Sequence, residues 1–242
     1  MSEPTRAEVC VVACAEAWRG DGAILAGPMA LIPRLGARLA QLTFSPELVL
    51  SDGEATLVRG DTVEGWLPYR AVFQVVASGR RHAMMGASQL DRYGNQNISC
   101  IGDWARPSAQ LLGVRGAPGN TINHVVSYWV PRHSPRTFVS SVDMVSGVGY
   151  DRAATLGAPG NRFHEIRTVV TDLAVLDFAT PDRSMRLRSV HPGVTTDEVV
   201  RATGFPLAVA AEVSQTRSPT PDELTLIRDR LDPRGLREKE LP

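Results

Sequence analysis

The sequence has little cysteine, almost no lysine and no excess of charge of either sign. Its 242 residues include three cysteines, and an odd number without paired spacing does not predict a disulfide framework. Cys10 and Cys14 are four residues apart on one face of a predicted helix, which indicates buried apolar thiols. The 26 basic and 26 acidic residues cancel, so no global field favours nucleic acid or an anionic membrane. The single lysine, Lys239, stands in a polar tail, which excludes a Schiff-base lysine in the core.

Several motifs of membrane proteins and enzymes are missing as well. No stretch approaches the ~18 consecutive apolar residues of a membrane span, and no basic and then apolar leader is present. We therefore expect a soluble cytoplasmic protein. The five histidines are not spaced as a zinc site, and there is no Walker loop, dinucleotide fingerprint or GxSxG elbow. We accordingly expect no metal and no cofactor, and for His124, which follows a glycine turn, a structural role is favoured.

The hydrophobic pattern predicts one α/β domain, residues 1–242, with a polar tail from about residue 232. Hydrophobic residues make up 43% of the chain, which is enough for one large core. Strands alternate with helices in the first half and cluster in the second. This order favours a mostly parallel mixed sheet flanked by helices. The charged tail is expected to be frayed.

Periodicity and end signals place the individual elements. The predicted helices are Glu8–Trp18, Ile32–Leu42, Tyr69–Ser78, Thr195–Thr203 and Pro219–Leu231. The predicted strands are Glu47–Ser51, Arg81–Gly86, two runs within His124–Gly149 (124–133 and 136–145), Arg167–Phe178 and Met185–Val190.

The most informative stretch contains two glycine turns with a polar loop between them. The first reads GASQLDRYGN (86–95) and the second GAPGN (116–120). Glycines let a backbone approach a ligand, and the amides beside them can hold a developing negative charge. The predicted substrate-binding and coenzyme A-binding residues are Gly86, Ala87, Gln89, Asn95, Gly116, Gly119 and Asn120. The alternative is a structural connection in which Gln89 and Asp91 cap local backbone.

The five residues GAPGN occur twice in the sequence. The second copy occupies residues 157–161. Because Pro-Gly is a common turn pair, we interpret the repetition as incidental.

A second candidate is the run LVLSDGE (48–54), a buried strand that ends in a turn with two carboxylates. Ligands of α/β sheets bind at the carboxyl ends of strands. Asp52 and Glu54 are therefore the candidate catalytic residues. The alternative is a solvated turn with two surface acids.

These segments together resemble the β-type subunit of the family I coenzyme A transferases. That family carries a segment like residues 86–95, followed after roughly twenty residues by a glycine-rich turn like 116–120. Arg167–Phe178 and His191–Leu207 also resemble its later segments, so the similarity extends over roughly Leu48–Leu207. The family places a nucleophilic glutamate in a Ser-Glu-Asn-Gly motif, where this chain has Ser-Asp-Gly-Glu (51–54). Asp52 is one methylene shorter, and a misplacement of ~1 Å can cost about a hundredfold in rate.

This departure resembles a branch of hydrolases that open the last steroid ring of a cyclic β-keto acyl-CoA in cholesterol catabolism. The resemblance implies an α2β2 heterotetramer whose main catalytic glutamate is supplied by the α partner. Coenzyme A would be part of the substrate. Three alternatives stay open: a coenzyme A transferase with Asp52 or Glu54 as nucleophile, a non-catalytic scaffold subunit, and a sugar-phosphate isomerase-like domain.

Overall fold

The computed structural model describes residues 2–51, 56–111, 113–114 and 116–241. In this part of the chain the strands are β1 (Leu25–Pro28), β2 (Val49–Ser51), β3 (Thr56–Arg59), β4 (Thr62–Trp66), β5 (Arg81–Gly86), β6 (Gln89–Leu90), β7 (Gln96–Asn97), β8 (Cys100–Ile101), β9 (Ala109–Gln110), β10 (Val125–Val130), β11 (Glu165–Thr171), β12 (Ala174–Asp177), β13 (Arg186–Val190) and β14 (Ala208–Gln215). The α-helices are α1 (Arg6–Glu16), α2 (Leu31–Thr43), α3 (Tyr69–Ala77), α4 (Ala117–Asn123), α5 (Tyr150–Thr155), α6 (Gly157–Asn161), α7 (Thr196–Arg201) and α8 (Pro221–Thr225). A π-helix, Leu226–Leu231, continues α8, and a 3-10 helix spans Leu236–Lys239.

One large sheet organises the molecule. Its described strands run in the order β14-β13-β12-β11-β10-β5-β1-β2-β3-β4. The central strands β11, β10, β5, β1 and β2 are mutually parallel, and antiparallel pairs flank them on both sides. The predicted α/β fold with a mostly parallel mixed sheet is thus confirmed. Since the parallel strands point the same way, their carboxyl ends meet at one edge of the sheet.

Apolar side chains of the central strands alternate between two cores. Met84 and Trp129 face α1 and α2 on one side, whereas Met85 and Tyr128 face the other side. Such alternation follows from the two-residue period of a strand. Because both faces are covered, the central strands read as nearly continuous hydrophobic runs.

The first two helices pack closely on one face of the sheet. Thr5 caps α1, and the Glu8 side chain accepts a hydrogen bond from the Thr5 backbone N–H, which forms a capping box. Gly36 of α2 permits the approach, since a Cβ there would lie 2.8 Å from Cys14 Cβ. Cys10 and Cys14 are fully buried in this contact and carry no disulfide, as the spacing predicted.

Several predicted boundaries are confirmed and two predicted strands are wrong. Arg81–Gly86 has the predicted bounds, and α1, α2, α3 and α7 lie within two residues of theirs. Arg167–Phe178 is instead a hairpin, because the Thr171 hydroxyl accepts the backbone N–H groups of residues 173 and 174 and closes a turn. Residues 136–145 form an irregular segment with a single bridge, between Phe138 and Leu90. Their apolar content serves to bury Phe138 in the second core.

The predicted frayed tail is also wrong. The buried Glu8 carboxylate accepts hydrogen bonds from Arg237 at 2.7 Å and from Arg228 at 2.7 Å. Arg237 also pairs with Asp232 at 3.0 Å. These contacts fix the tail against α1, which local sequence patterns do not reveal.

The described helices include none with the length and apolar character of a membrane span. The assignment of the whole chain to one domain stays a prediction.

Candidate active site

A cavity of about 680 Å³ lies at the carboxyl edge of the sheet. It begins where β1, β5 and β10 end, so it occupies the place where α/β sheets bind ligands. Its lining residues are Met29, Ala30, Met85, Gly86, Ala87, Ser88, Ile98, Leu111, Gly113, Gly116, Ala117, Asn120, Trp129, Pro131 and Glu240. An apolar wall with a few polar groups is typical of small-molecule sites.

Four of the predicted binding residues line this cavity. Gly86 ends β5 and Ala87 follows it, while Gly116 precedes α4 and Asn120 lies in its first turn. A Cβ at Gly86 would meet nothing within 4 Å, so its missing side chain leaves room in the cavity. The two glycine turns, about thirty residues apart, thus face one space, although their binding role stays a prediction.

Gln89 and Asn95 lie behind the loop rather than in the cavity wall. Asn95 Nδ2 donates to Asp91 at 2.8 Å and to Asp151 at 2.9 Å, and its Oδ1 accepts from the Gly149 backbone at 2.7 Å. Burial raises the pKa of Asp91, against these hydrogen bonds. In this arrangement Asn95 and Asp91 fix the shape of the loop.

Gln89 forms a second buried network. Its Nε2 donates to Asp143 at 3.0 Å, and its Oε1 accepts from Asn97 Nδ2 at 2.7 Å. Gly119, the remaining predicted residue of this loop region, faces Val76 of α3 rather than the cavity. These three residues do not line the cavity, and the binding role of Gln89, Asn95 and Gly119 stays a prediction.

The candidate carboxylates Asp52 and Glu54 lie outside the described residues. The structure places only the preceding residue, Ser51, at the end of β2 and hence at the same sheet edge. Their catalytic role therefore stays a prediction.

Asn120 is held by two side chains from behind. Its Oδ1 accepts from Arg81 Nη1 at 3.0 Å and lies 3.1 Å from His124 Nε2. The other ring nitrogen of His124 lies 3.0 Å from the Val125 carbonyl. Burial lowers the pKa of His124 to about 4 and also lowers the pKa of Arg81. His124 thus has the structural surroundings that the sequence favoured.

Glu240 and Trp129 are among the wall residues that sequence reasoning missed. The Glu240 carboxylate accepts from Trp129 Nε1 at 2.6 Å and from the Ile32 backbone at 2.8 Å, at the start of α2. These partners are 111 and 208 residues distant in sequence. No local signal points to Glu240, because the charged tail looks the same whether it is docked or free.

The described wall is therefore suited to holding an acyl group and an oxyanion. Backbone N–H groups at the glycine turns and the Asn120 amide can face a developing negative charge. The one carboxylate of the described wall, Glu240, is occupied by two N–H donors, one on each oxygen. Each oxygen therefore helps to fix the tail through one hydrogen bond.

A second cleft of about 470 Å³ contains four arginines, Arg19, Arg167, Arg188 and Arg217. Three of them are already ion-paired with acidic neighbours, namely Glu16, Asp21 and Glu223. This cleft therefore offers little uncompensated charge to a ligand.

Asp21, His82 and Ser127 are aligned as a nucleophilic triad would be. His82 lies 2.7 Å from Asp21 and 2.8 Å from Ser127 Oγ. Both His82 and Ser127 are fully buried, near the amino end of β5 and far from the cavity edge. No substrate reaches this hydroxyl, so the array is structural.

In the described chain no cluster of three or more His, Cys, Asp or Glu is arranged for a metal ion.

Comparison with known proteins shows similarity to coenzyme A transferases and to a ring-cleaving hydrolase subunit. The family model for coenzyme A transferase matches residues 71–202. The chain is 53% identical to the cholesterol ring-cleaving hydrolase IpdB subunit of Rhodococcus jostii (strain RHA1), over 100% of this chain and 98% of the relative. It is 31% identical to one subunit of the 3-oxoadipate CoA-transferase of Pseudomonas knackmussii, over 81% and 82% of the two chains. The crystal structure of Rhodococcus jostii RHA1 IpdAB covers 100% of both chains with a TM-score of 0.95 and 52% identity.

Proposed function

The chain belongs to the coenzyme A transferase family, and from that premise we propose that it is the β subunit of a heteromeric carbon–carbon bond hydrolase. Its substrate is a cyclic β-keto acyl-CoA that carries the last steroid ring. The observation that carries this proposal is the full-length identity of 53% to the cholesterol ring-cleaving hydrolase IpdB subunit. Identity to the 3-oxoadipate CoA-transferase subunit is 31%, which favours the hydrolase over the transferase.

The proposed reaction is a retro-Claisen cleavage. A carboxylate removes a proton from water, whose oxygen adds to the ring ketone. The bond from that carbon to the α-carbon then breaks, and its electron pair forms an enolate with the thioester carbonyl. The α-carbon finally takes a proton, so the product is a ring-opened carboxylic acid that keeps its coenzyme A.

This chain would wall the pocket and hold the enolate. We assign the main catalytic glutamate to the α partner of an α2β2 heterotetramer. The glycine turns beside Gly86 and Gly116 would face the thioester end of the substrate. The apolar side chains of Met29, Met85 and Trp129 would contact the ring.

A cytoplasmic location is part of the proposal. It is supported by the free state of Cys10, Cys14 and Cys100, because thiols persist in reducing compartments.

The test uses the chain purified together with its α partner. We expect that a cyclic β-keto acyl-CoA in oxygen-18 water yields a ring-opened product that gains one heavy oxygen and keeps its coenzyme A. Mass spectrometry follows the products, with a free carboxylic acid present in the same reaction. Transfer of coenzyme A to the free acid would instead establish the transferase alternative and return Asp52 and Glu54 to the mechanism.

A further inference from the structure

We propose that the side-chain amide of Asn120 donates a hydrogen bond to the thioester carbonyl oxygen of the bound acyl-CoA, and that Arg81 is the positioning residue that fixes this amide. The inference rests on the proposed function, since it names the group that would contact the enolate oxygen. It concerns a side chain, in contrast to the backbone amides of the glycine turns.

The orientation of the Asn120 amide follows from its neighbour. A guanidinium has five N–H donors and no acceptor, so the amide atom 3.0 Å from Arg81 Nη1 is the oxygen, and the neutral His124 ring then carries its proton on Nε2, 3.1 Å from the same oxygen. The nitrogen Nδ2 then points the other way. Without a neighbour of fixed polarity, the two ends of an asparagine amide are hard to distinguish.

Within the part of the chain that the structure describes, the Nδ2 end has only a weak partner. It lies 3.4 Å from Met85 Sδ, a thioether that accepts hydrogen bonds poorly. Asn120 and Met85 both line the cavity, and Asn120 is 6% exposed. The Nδ2 group is thus a strong N–H donor in an apolar wall, with most of its hydrogen-bonding capacity unused. A buried donor without a good acceptor lowers the stability of the protein, and a ligand that accepts the hydrogen bond removes this penalty.

Gly116 keeps this donor open. Its φ of −98° is available to any residue, so the backbone does not require glycine there. A Cβ at this position would fit, but it would lie 3.6 Å from Asn120 Nδ2, at the edge of the cavity. A side chain at 116 would cover the N–H group, and its absence leaves a path from the cavity to Nδ2.

Arg81 supplies charge as well as orientation. Its guanidinium lies over Gly27 of β1, where a Cβ would come within 2.8 Å of Nη2. Among the described residues no carboxylate pairs with Arg81. A hydrogen bond from a cation to Oδ1 polarises the amide and strengthens donation from Nδ2.

The experiment compares Asn120→Asp with Asn161→Asp in the chain bound to its α partner. Aspartate retains an oxygen for Arg81 but has no N–H, and residue 161 ends the second GAPGN copy outside the cavity. The probe is cyclohexanecarbonyl-CoA with carbon-13 at the thioester carbonyl, which has no β-keto group to cleave. Infrared spectroscopy reports the carbonyl band, and turnover of the cyclic β-keto acyl-CoA reports kcat and KM.

We expect the wild-type complex and Asn161→Asp to shift the labelled carbonyl band to lower frequency, and Asn120→Asp to lose the shift. The kcat of Asn120→Asp should fall by about 100-fold or more, as when an oxyanion-hole donor is removed, with a smaller change in KM. If Asn120→Asp does not fold, Gly116→Ala provides a second test, because its methyl group partly covers Nδ2 without changing Asn120 and should reduce the band shift.

A band shift that persists in a folded Asn120→Asp complex or is undiminished in the Gly116→Ala complex would overturn the inference, as would its absence in the wild type. Failure of the proposed function has a different signature. In that case the wild-type complex does not cleave the cyclic substrate, whereas the band of the non-cleavable probe still reports whether Asn120 contacts a thioester.

Discussion

The two copies of GAPGN show how much the surroundings of a segment decide. In the first copy, Ala117 is 2% exposed and Asn120 is held by Arg81 and His124 beside the cavity. In the second copy, which forms α6, Gly157 has a φ of +70° and the following alanine is exposed. Asn161 there donates to the Ala153 carbonyl of the preceding helix.

Identical residues thus line a cavity in one place, whereas in the other they form a short helix that contacts the helix before it. The first copy stands next to β5 and β10, and β5 supplies both a cation and a thioether to it. The second copy follows α5 directly and bonds back to that helix. The interpretation of the repetition as incidental agrees with these different surroundings.

The largest expected effect comes from removing the support of the segment that closes the first cavity. The C-terminal segment carries Glu240 to the cavity and is fixed by buried Glu8 through Arg237. We expect Glu8→Gln to lower the free energy of unfolding by about 3 kcal/mol, since it leaves buried arginine charge poorly compensated. Chemical denaturation of the complex at fixed concentration measures this. Glu16→Gln, in a partly exposed ion pair, is the control and should cost less than about 1 kcal/mol.

The same residue predicts a pH dependence. Burial opposes ionisation of Glu8, but hydrogen bonds from Arg228, the Thr5 backbone and Arg237 outweigh it and lower its pKa from 4.5 to about 2. Because the folded pKa is depressed, this stability is fully present above pH 4.5 and is lost as the pH falls towards 2. In Glu8→Gln the slope of stability against pH in that window should flatten, and an unchanged slope would contradict the assignment.

A smaller effect is expected from removing the cation behind the first copy. Arg81→Met should lower kcat about tenfold, which corresponds to about 1.4 kcal/mol, and leave KM within about twofold. Unfolding should occur at the same or a higher denaturant concentration, because a desolvated cation is costly to bury. Arg81→Lys should restore part of kcat. Equal losses in kcat and stability would indicate a purely structural role for Arg81.

The smallest effects come from adding one methyl group to each copy. Gly157→Ala should cost about 1 kcal/mol of stability, because its positive φ is strained for alanine, with kcat unchanged. Gly116→Ala should reduce kcat severalfold by covering Asn120 Nδ2, with the stability unchanged or slightly raised. Parallel measurements of kcat and denaturation separate the two signatures. The reverse pattern would show that the two copies have been assigned the wrong roles.

Local patterns predict much of the fold. Arg81–Gly86 is a run of mostly buried strand residues whose predicted bounds are confirmed, and the helices α1 and α7 lie within two residues of their predicted bounds. Local patterns do not predict the hairpin β11–β12, because its turn depends on the Thr171 hydroxyl, and the residues around it have the composition of one continuous strand. Local patterns do not predict the edge strand β14 either, because most of its residues are exposed and its hydrophobic pattern is weak.

The site is predictable in part. Gly86 and Ala87 reach the cavity because they stand at the carboxyl end of the parallel strand β5, whereas Gly116 and Asn120 reach it from the N-cap and first turn of α4. Whether a polar side chain in such a loop faces inward or outward depends on partners far along the chain. Gln89 turns towards Asp143, 54 residues away, and so lies behind the wall.

By itself, the sequence determined the fold class, the family and the glycine turns, because these depend on local residue pattern and backbone freedom. Only the tertiary structure decided that Arg81 orients Asn120, that the two GAPGN copies differ and that Glu240 reaches the cavity. The physical reason is the same in each case. Hydrogen bonds and charge act over a few ångströms in space, and the chain brings those partners together from positions tens to hundreds of residues apart.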